Sequence, residues 1–315
     1  MNYIGAALDR FWNRSELFGL LSGLLLGACL VFPAGFAGAQ NPAPAAGGSG
    51  CRSGDCENGA GRYEWPDGES YEGGFQQGRV HGKGVYRTIN GTRIEGVFAA
   101  GKLNGQARIQ YANGSVYEGD IRNGAKSGQG RIRYPDGTRY EGAFRADRPE
   151  GQGVLYRKDG SVLRAVFRAG KPGGKVEIRF AGGDVYEGAI KDGLPSGQGT
   201  LRKKSGSVYT GEFRQGLPWG SGKLRLAGGA EYDGSFVRGV MQGEGIYTYE
   251  NGDVYTGAFA QGLPEGQGTL KYKSGAVYEG AFRKGRKHGS GVYTSADGRR
   301  TAGTFRDDEF VGRDL

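Results

Sequence analysis

A catalytic site needs reactive side chains within hydrogen-bond reach of one another, and this sequence supplies few candidates. His81 and His288 are its two histidines, and they occupy the same position of a 23-residue repeating unit, so an array of such units keeps them far apart. The segment GVFAAGK at residues 96–102 begins like a phosphate-binding loop, but Leu103 stands where Ser or Thr would bind magnesium. We therefore predict that the protein is not an enzyme and binds no cofactor and no metal.

A row of basic residues is the clearest binding signal. Five consecutive units carry one at the same position, and two more follow three residues later: Arg122, Arg145, Arg168, Lys191 and Arg214, with Arg148 and Lys171. Stacked units would place them along one edge at intervals of about 10 Å. A row of like charges is unfavourable unless solvent or an anionic partner neutralises it. Two interpretations stay open, a solvated edge and a binding site for anionic membrane lipid or acidic glycan.

The carboxylates follow the repeat as well. The second repeat position is acidic in most units, and facing strands carry basic residues at another fixed position: Glu72, Glu95, Glu118, Glu141, Glu187, Asp233 and Glu279, against Arg87, Arg133, Arg179, Arg202, Arg225 and Lys271. We interpret these residues as cross-strand ion pairs and not as catalytic acids.

The repeat behind these spacings is clearest at residues 278–300, YEGAFRKGRKHGSGVYTSADGRR. Ten copies follow one another without insertion, and their first residues are Tyr71, Ile94, Tyr117, Tyr140, Leu163, Tyr186, Tyr209, Tyr232, Tyr255 and Tyr278. Each copy has two segments of about six residues in which apolar residues alternate with others, a pattern typical of β-strands with one buried face. The 65 glycines of the chain disfavour helix.

Turn signals separate these segments. Asn-Gly and Asp-Gly pairs, such as Asn113-Gly114 and Asp136-Gly137, predict two-residue hairpin turns. The other connection is expected to be longer, and it carries proline at one repeated position, as at Pro149. The predicted fold class is therefore all-β, an elongated single layer of repeated antiparallel β-hairpins.

The repeat resembles a known family. The pattern Tyr-Glu-Gly-x-Phe, then Gly, then Gly-x-Gly, then Asp/Asn-Gly is similar to the MORN (membrane occupation and recognition nexus) repeat over residues 59–315. The resemblance implies a scaffold or binding module with a groove lined by aromatic residues, and lipid binding has been proposed for some members. The groove residues that it implies are Tyr117, Tyr140, Phe144, Tyr186, Tyr209, Phe213, Tyr232, Phe236, Tyr255, Phe259, Tyr278 and Phe282.

One unit departs from this pattern. At Leu163, Arg164-Ala165 replaces Glu-Gly, and Val176 replaces the second glycine of Gly-x-Gly. We expect the array to bend or become thinner there.

Residues 1–39 are typical of an export signal. Two arginines precede an uncharged apolar run, and Ala37-Gly38-Ala39 matches a signal peptidase site, so we predict cleavage after Ala39. Two alternatives stay open: residues 17–39 could remain as a membrane anchor, or Cys29 could be lipidated after cleavage.

The next segment, residues 40–58, has the composition of a flexible linker. It contains Cys51 and Cys56, the only cysteines that remain if the export segment is removed. In an exported protein such a pair predicts a disulfide, although two free thiols stay possible. The repeat array then occupies residues 59–315.

Together these observations predict an exported, periplasmic or extracellular scaffold of a bacterial-type cell envelope. Its partner is expected to be an unidentified envelope protein bound in the aromatic groove, with an anionic membrane surface or glycan as the alternative. The net charge of +9 would also allow nucleic acid, but export argues against it. The oligomeric state stays open.

Overall fold

The computed structural model describes residues 50–312, and all regular structure within that range is β-strand. These residues form two compact units, an N-terminal unit (residues 50–173) and a C-terminal unit (residues 174–312). The predicted export segment, Cys29 and residues 40–49 of the predicted linker lie outside the described residues. Within residues 50–312 the structure has no helix of the length and apolar character needed to span a membrane.

The N-terminal unit contains β1 (Cys51–Gly54), β2 (Ala60–Glu64), β3 (Ser70–Gln76), β4 (Arg79–Arg87), β5 (Arg93–Ala99), β6 (Lys102–Gln110), β7 (Val116–Arg122), β8 (Ala125–Arg133), β9 (Arg139–Arg145), β10 (Arg148–Tyr156) and β11 (Val162–Arg168). Strand β12 (Lys171–Arg179) carries the boundary between the units.

The C-terminal unit continues with β13 (Val185–Lys191), β14 (Leu194–Arg202), β15 (Val208–Arg214), β16 (Leu217–Arg225), β17 (Glu231–Val237), β18 (Val240–Thr248), β19 (Val254–Ala260), β20 (Leu263–Lys271), β21 (Val277–Arg283), β22 (Arg286–Thr294), β23 (Arg300–Arg306) and β24 (Glu309–Gly312). Within each unit every strand pairs antiparallel with the next one along the chain. This confirms the predicted all-β array of antiparallel hairpins.

Two kinds of turn alternate along the chain, and their assignment corrects the prediction. The two-residue turns have positive φ at both residues, as at Asn123 (51°) and Gly124 (82°), which is the arrangement of a type I′ turn. The Asn-Gly pairs instead lie in five-residue connections, where Asn113 accepts the N–H of Ser115 at 3.0 Å and only Gly114 of this pair has positive φ. The repeated proline lies inside a strand, since Pro149 is opposite Phe144 in β9.

The core lies on one face of the strands and is made of tyrosine rings that lie over glycine. A Cβ atom added to Gly130 would be 2.6 Å from the Tyr117 hydroxyl oxygen, so the ring occupies the place of a side chain. Each ring also meets phenylalanine edge to face, as in Tyr140–Phe144 with centroids 5.2 Å apart. Such contacts add about 0.5–1.5 kcal/mol each beyond area burial. The tyrosine hydroxyls donate hydrogen bonds to backbone carbonyls, as Tyr117 does to the carbonyl oxygen of Asp120 at 2.8 Å.

The N-terminal end of the array differs from the prediction. Residues 51–54, which we assigned to the linker, form strand β1 and pair with β2. Cys51 and Cys56 lie in disulfide geometry, with their Cα atoms 6.0 Å apart. The short chain reversal between the two cysteines lets β1 cover the edge of β2, which linker composition alone does not reveal.

A buried lysine interrupts the regular core. Lys126 is fully buried, and its Nζ lies 3.6 Å from the Asp147 carboxylate and donates to the Tyr111 hydroxyl at 3.1 Å. The backbone N–H of Lys126 also donates to Asp147 Oδ1, at 2.9 Å. Burial lowers the pKa of Lys126, and the Asp147 carboxylate opposes that change. Asp147 holds the second position of a two-residue turn, with φ of 68°, where most repeats have glycine.

The hydrogen bonds of this arrangement recur once in the described residues, at the half-buried Lys287. The Lys287 N–H donates to Asp308 Oδ1 at 2.9 Å, and its Nζ donates to the Tyr272 hydroxyl at 3.3 Å. In the other repeats the turn position is glycine, and the lysine position is Glu, Val, Leu, Pro or Met. Lysine and aspartate therefore occur together, 21 residues apart, and act as a pair that joins two successive hairpins.

Candidate anion-binding edge

The two-residue turns of the N-terminal unit form an edge that is rich in exposed cations. Each cation is the last residue of one strand or the first residue of the next, and together they define the N-terminal basic edge: Arg79, Lys102, Arg122, Arg145, Arg148, Arg168 and Lys171. All seven are exposed, and within residues 50–312 none of them is ion-paired with a carboxylate. Five were predicted from the sequence. Arg79 and Lys102 were missed, although they share the repeat position of Arg148 and Lys171.

Nearby acids are held by other donors. Asp147 is bound to Lys126, and Glu150 Oε2 accepts the backbone N–H of Ala169 at 2.9 Å. Asp120 accepts the backbone N–H of Gln129 at 2.8 Å. These contacts keep the carboxylates on the hairpins and leave the charge of the edge positive.

The charge density is highest at the last two turns of this unit. Arg145 and Arg148 are directly opposite each other in the β9–β10 pair, and the following turn carries Arg168 and Lys171 at the same positions. Like charges placed directly opposite each other are destabilising. An anion seated between them would remove that repulsion.

The other two predicted cations, Lys191 and Arg214, lie in the C-terminal unit. Both are exposed at the ends of β13 and β15, next to two-residue turns. The guanidinium of Arg214 lies 5.0 Å from the centre of the Trp219 ring, a cation–π contact that orients it.

The aromatic groove that we expected is not an open surface. Tyr117, Tyr140, Tyr186, Tyr209, Tyr255 and Tyr278 are completely buried, and Tyr232, Phe144, Phe213, Phe236, Phe259 and Phe282 are 5% exposed or less. The rings lie on the core side of the strands because the paired glycines leave room for them there. They are core residues, and a partner would meet the opposite face.

That opposite face carries a ladder of alternating charge. In the N-terminal unit Glu118 is flanked by Arg108, whose Nη1 donates at 2.7 Å, and by Arg131, whose Nε donates at 2.6 Å. Cross-strand ion pairs therefore form at Glu118, but the basic repeat position that we predicted for them is wrong, since Arg133 lies opposite Val116 and Arg139. The ladder runs along a shallow open cleft with a volume of about 1120 Å³ and a floor of glycine backbone.

The histidines occupy a structural position. In other repeats the side chain at this position accepts a hydrogen bond from the backbone N–H of the first residue in the next two-residue turn. For example, Asn104 Oδ1 accepts the N–H of Asn123 at 2.8 Å. His81 is exposed, while His288 Nδ1 lies 3.7 Å from the Asp307 carboxylate in such a turn. Within residues 50–312 the structure contains no cluster of three or more side chains suited to a metal ion.

Comparison with known families decides the identity of the repeat. The MORN repeat family matches ten segments: residues 57–70, 71–93, 95–116, 117–139, 140–162, 186–208, 209–231, 232–254, 255–277 and 278–299. The chain belongs to the MORN repeat family. No curated protein matches the sequence.

The match omits residues 163–185 of this MORN repeat protein, which is the unit whose sequence departs from the pattern. The structure nevertheless forms β11 and β12 with the same lengths as their counterparts elsewhere. Leu163 replaces the leading tyrosine there and is buried. β11 and β12 therefore keep the usual strand lengths in this unit.

Two solved structures are similar to this chain at low scores. One is the TCP10 domain of Danio rerio CPAP in complex with a peptide of STIL, at 16% identity and TM-score 0.39, covering 78% of this chain and 98% of that chain. The other is the SAS-4 TCP domain of Drosophila melanogaster in complex with a proline-rich motif of Ana2, at 18% identity and TM-score 0.32, covering 48% of this chain and 81% of that chain. At these TM-scores neither supports an inference about function.

Proposed function

We propose that this MORN repeat protein is a non-enzymatic scaffold of the cell envelope that docks onto an anionic phospholipid surface through its N-terminal basic edge. The observation that carries the proposal is the row of seven exposed cations without carboxylate partners in the described residues. A flexible cation near an acidic membrane surface contributes about 1 kcal/mol of attraction. The attractions of several cations on one edge of a folded array add together, because the fold already holds the cations in place and no further ordering of the chain is needed.

The arrangement of the reactive groups supports a non-enzymatic role. His81 and His288 belong to different units, at a position where other repeats carry a side chain that caps a turn. The carboxylate of Glu95 accepts a hydrogen bond from Arg93, which lowers its pKa. A carboxylate held ionised in this way is poorly suited to proton transfer at neutral pH.

The charged ladder favours a second candidate function. Its cleft in the N-terminal unit is open along several strands, so an extended polypeptide from an envelope protein could lie across Glu95, Arg108, Glu118, Arg131 and Glu141. Reversing Arg108 and Arg131 to glutamate would abolish recovery of such a partner from envelope extract. Recovery that persists in this variant would exclude the ladder as its binding surface.

Export is part of the proposal. It is supported by the signal-like sequence of residues 1–39 and by the disulfide geometry of Cys51 and Cys56. Intact mass spectrometry of the protein from its native host tests it. We expect a chain that begins at Gln40 and takes up no alkylating reagent before reduction. A mass that retains residues 1–39, or two alkylated thiols, would contradict it.

The basic edge is tested by sedimentation with vesicles of phosphatidylglycerol and phosphatidylcholine at low and high salt. The test variant changes Arg122, Arg145, Arg148, Arg168 and Lys171 to glutamine. The control variant makes the same change in charge at exposed cations elsewhere in this unit: Arg62, Lys83, Arg87, Arg133 and Lys158. We expect the test variant to lose at least tenfold in low-salt affinity and the control to change much less, because attraction falls off within a Debye length.

Equal binding by both variants would overturn the role of the edge. If the parent protein does not bind these vesicles but binds soluble polygalacturonate through the same five residues, the ligand is an acidic glycan and not a lipid surface.

A further inference from the structure

The turn edge of the C-terminal unit differs in chemistry from that of the N-terminal unit. The first residue after the two-residue turn is Arg79, Lys102, Ala125, Arg148 or Lys171 in the N-terminal hairpins. In the next four hairpins it is Leu194, Leu217, Val240 and Leu263. Val237 lies directly opposite Val240 across its turn. We call these five apolar residues the apolar ridge.

The ridge side chains do not belong to the core. The residue after each of the four, as in Pro195 and Met241, is buried on the core side. Because neighbouring side chains in a strand point to opposite faces, the ridge residues point away from the core. Val237 is 41% exposed and Val240 is 37% exposed, while Leu194, Leu217 and Leu263 are half-buried. The exposure of the two valines beside the half-buried leucines calls for an explanation besides folding.

The surroundings of the ridge are cationic. The ridge turns carry Lys191, Arg214 and Arg238, with Asp192 as the acidic residue among them, and the next turn along the chain carries Arg283, Lys284 and Arg286. Adjacent hairpins are about 10 Å apart, so the four positions that follow the turns span about 30 Å within this unit. A narrow apolar line bordered by cations is the composition of segments that lie in the headgroup region of acidic membranes. A protein partner would have to match it with acids on both sides of a thin apolar strip.

We propose that the apolar ridge inserts into the headgroup region of an anionic phospholipid bilayer. This inference rests on the proposed function and adds a second component to it. Attraction to the basic edge weakens with salt, whereas burial of apolar side chains does not depend on screening. The ridge therefore supplies the part of membrane binding that persists at high salt.

Depth of insertion is read from a tryptophan placed on the ridge. Val240→Trp should show a blue shift and protection from acrylamide when phosphatidylglycerol vesicles are added to the full chain. Ser274→Trp, in an exposed five-residue connection at the other end of the hairpins, should show neither. Equal spectra for the two variants with bound vesicles would overturn insertion.

The contribution of the ridge is read from sedimentation at 0.05 M and 0.5 M salt. The ridge variant changes Leu194, Leu217, Val240 and Leu263 to serine. The control changes Val185, Val208, Val254 and Val277 to serine; these valines are half-buried, as the three ridge leucines are, and lie at the opposite ends of strands in the same unit. We expect the ridge variant to lose at least tenfold in high-salt binding and less than threefold at low salt, with the control close to the parent.

The two proposals fail in different ways. Suppose that the parent protein binds at low salt, is fully released at high salt, and shows no spectral shift for Val240→Trp. That result overturns the proposal for the ridge and supports the proposal for the basic edge. If binding survives the change of the basic edge to glutamine but is lost in the ridge variant, the proposal for the ridge is supported and the proposal for the basic edge is overturned. Absence of vesicle binding under all conditions overturns both.

Discussion

At the scale of residues, the leading tyrosine and the glycine across from it form one packing unit. In most repeats the ring lies where the side chain of that glycine would be, as for Tyr209 over Gly222. Where the leading residue is Ile94, the glycine is replaced by Ala107, which is buried in the space that the ring leaves. The glycine is therefore required by the ring and not by the backbone conformation of the strand.

This relationship predicts the outcome of changing Gly222 to alanine. The new Cβ atom would be 2.4 Å from the Tyr209 hydroxyl oxygen, so the ring must move and the free energy of unfolding should fall by about 1–3 kcal/mol. Chemical denaturation measures the change. Gly182→Ala is the control, because its Cβ atom would meet nothing within 4 Å.

Replacing Tyr209 by isoleucine should then rescue the Gly222→Ala variant, because the pair imitates Ile94 and Ala107. The test is a double-mutant cycle. Additive losses in the two single variants would mean that the ring and the glycine are independent.

A second prediction concerns the left-handed residues of the two-residue turns. Ala100 has a φ of 48°, which is unfavourable for a residue with a Cβ atom. Ala100→Gly should raise the free energy of unfolding by about 0.5–1 kcal/mol. Ala112→Gly, in an exposed loop position without positive φ, should leave stability unchanged or lower it slightly. A loss of stability in both variants would contradict the assigned turn conformation.

At the scale of elements, the periodicity of apolar residues predicted the strands well, whereas the Asn-Gly and Asp-Gly pairs predicted the turns poorly. Alternation fixed both strands of each hairpin, because side chains of a strand must alternate between core and solvent. Asn-Gly is the strongest short hairpin signal, yet Asn113 here uses its side chain to accept the N–H of Ser115 inside a longer loop. The first position of the two-residue turns holds residues such as Gln77 and Ala100. These residue types do not favour the left-handed backbone conformation, so the sequence contains no signal for the turn there.

The candidate site was predicted only in part for a similar reason. The repeat position of Arg122 could be read from the sequence, but the turn places it beside the position of Arg79 and Lys102. Which residues face each other across a turn depends on its length, and the length was assigned wrongly. The burial of the tyrosines was missed because an apolar face can belong either to a groove or to a core.

The Lys126–Asp147 pair gives the prediction at this scale. Asp147→Gly alone would leave a buried lysine without its carboxylate, and we expect a loss of about 3–5 kcal/mol in unfolding free energy. Adding Lys126→Leu should restore most of it, because Leu103 and Gly124 form that combination in the preceding repeat. Urea denaturation of the two single variants and the double variant measures the coupling. A double variant no more stable than Asp147→Gly would show that the pair does not join the hairpins.

At the scale of the whole molecule, the tyrosine core makes stability sensitive to alkali. Burial raises the pKa of Tyr140, Tyr186 and Tyr232 to about 12, while tyrosine in an unfolded chain ionises near pH 10. Between these values the folded chain retains protons that the unfolded chain has released. The free energy of unfolding should therefore fall as pH rises above 10.

The expected slope is about 1.4 kcal/mol per pH unit for each tyrosine that differs in ionisation. Circular dichroism and tyrosinate absorbance, recorded together from pH 9 to pH 12, measure it. Loss of strand signal should coincide with a cooperative rise in tyrosinate. Ordinary titration of all tyrosines near pH 10 in a chain that keeps its strands would mean that the rings are open to solvent.

The fixed repeat length has a consequence for how such a gene can change. Each repeat contributes two strands and brings the chain back to the same edge, so duplication or loss of one whole copy by unequal recombination preserves the reading frame and the alternation of turns. Copies with glycine at the turn can be exchanged freely in this way. A breakpoint between Lys126 and Asp147 would separate a buried cation from its counter-ion, and one between Lys287 and Asp308 would separate a half-buried lysine from the carboxylate that accepts its backbone N–H. These two stretches are where recombination would be selected against, and they divide the gene into segments that can vary in copy number and segments that cannot.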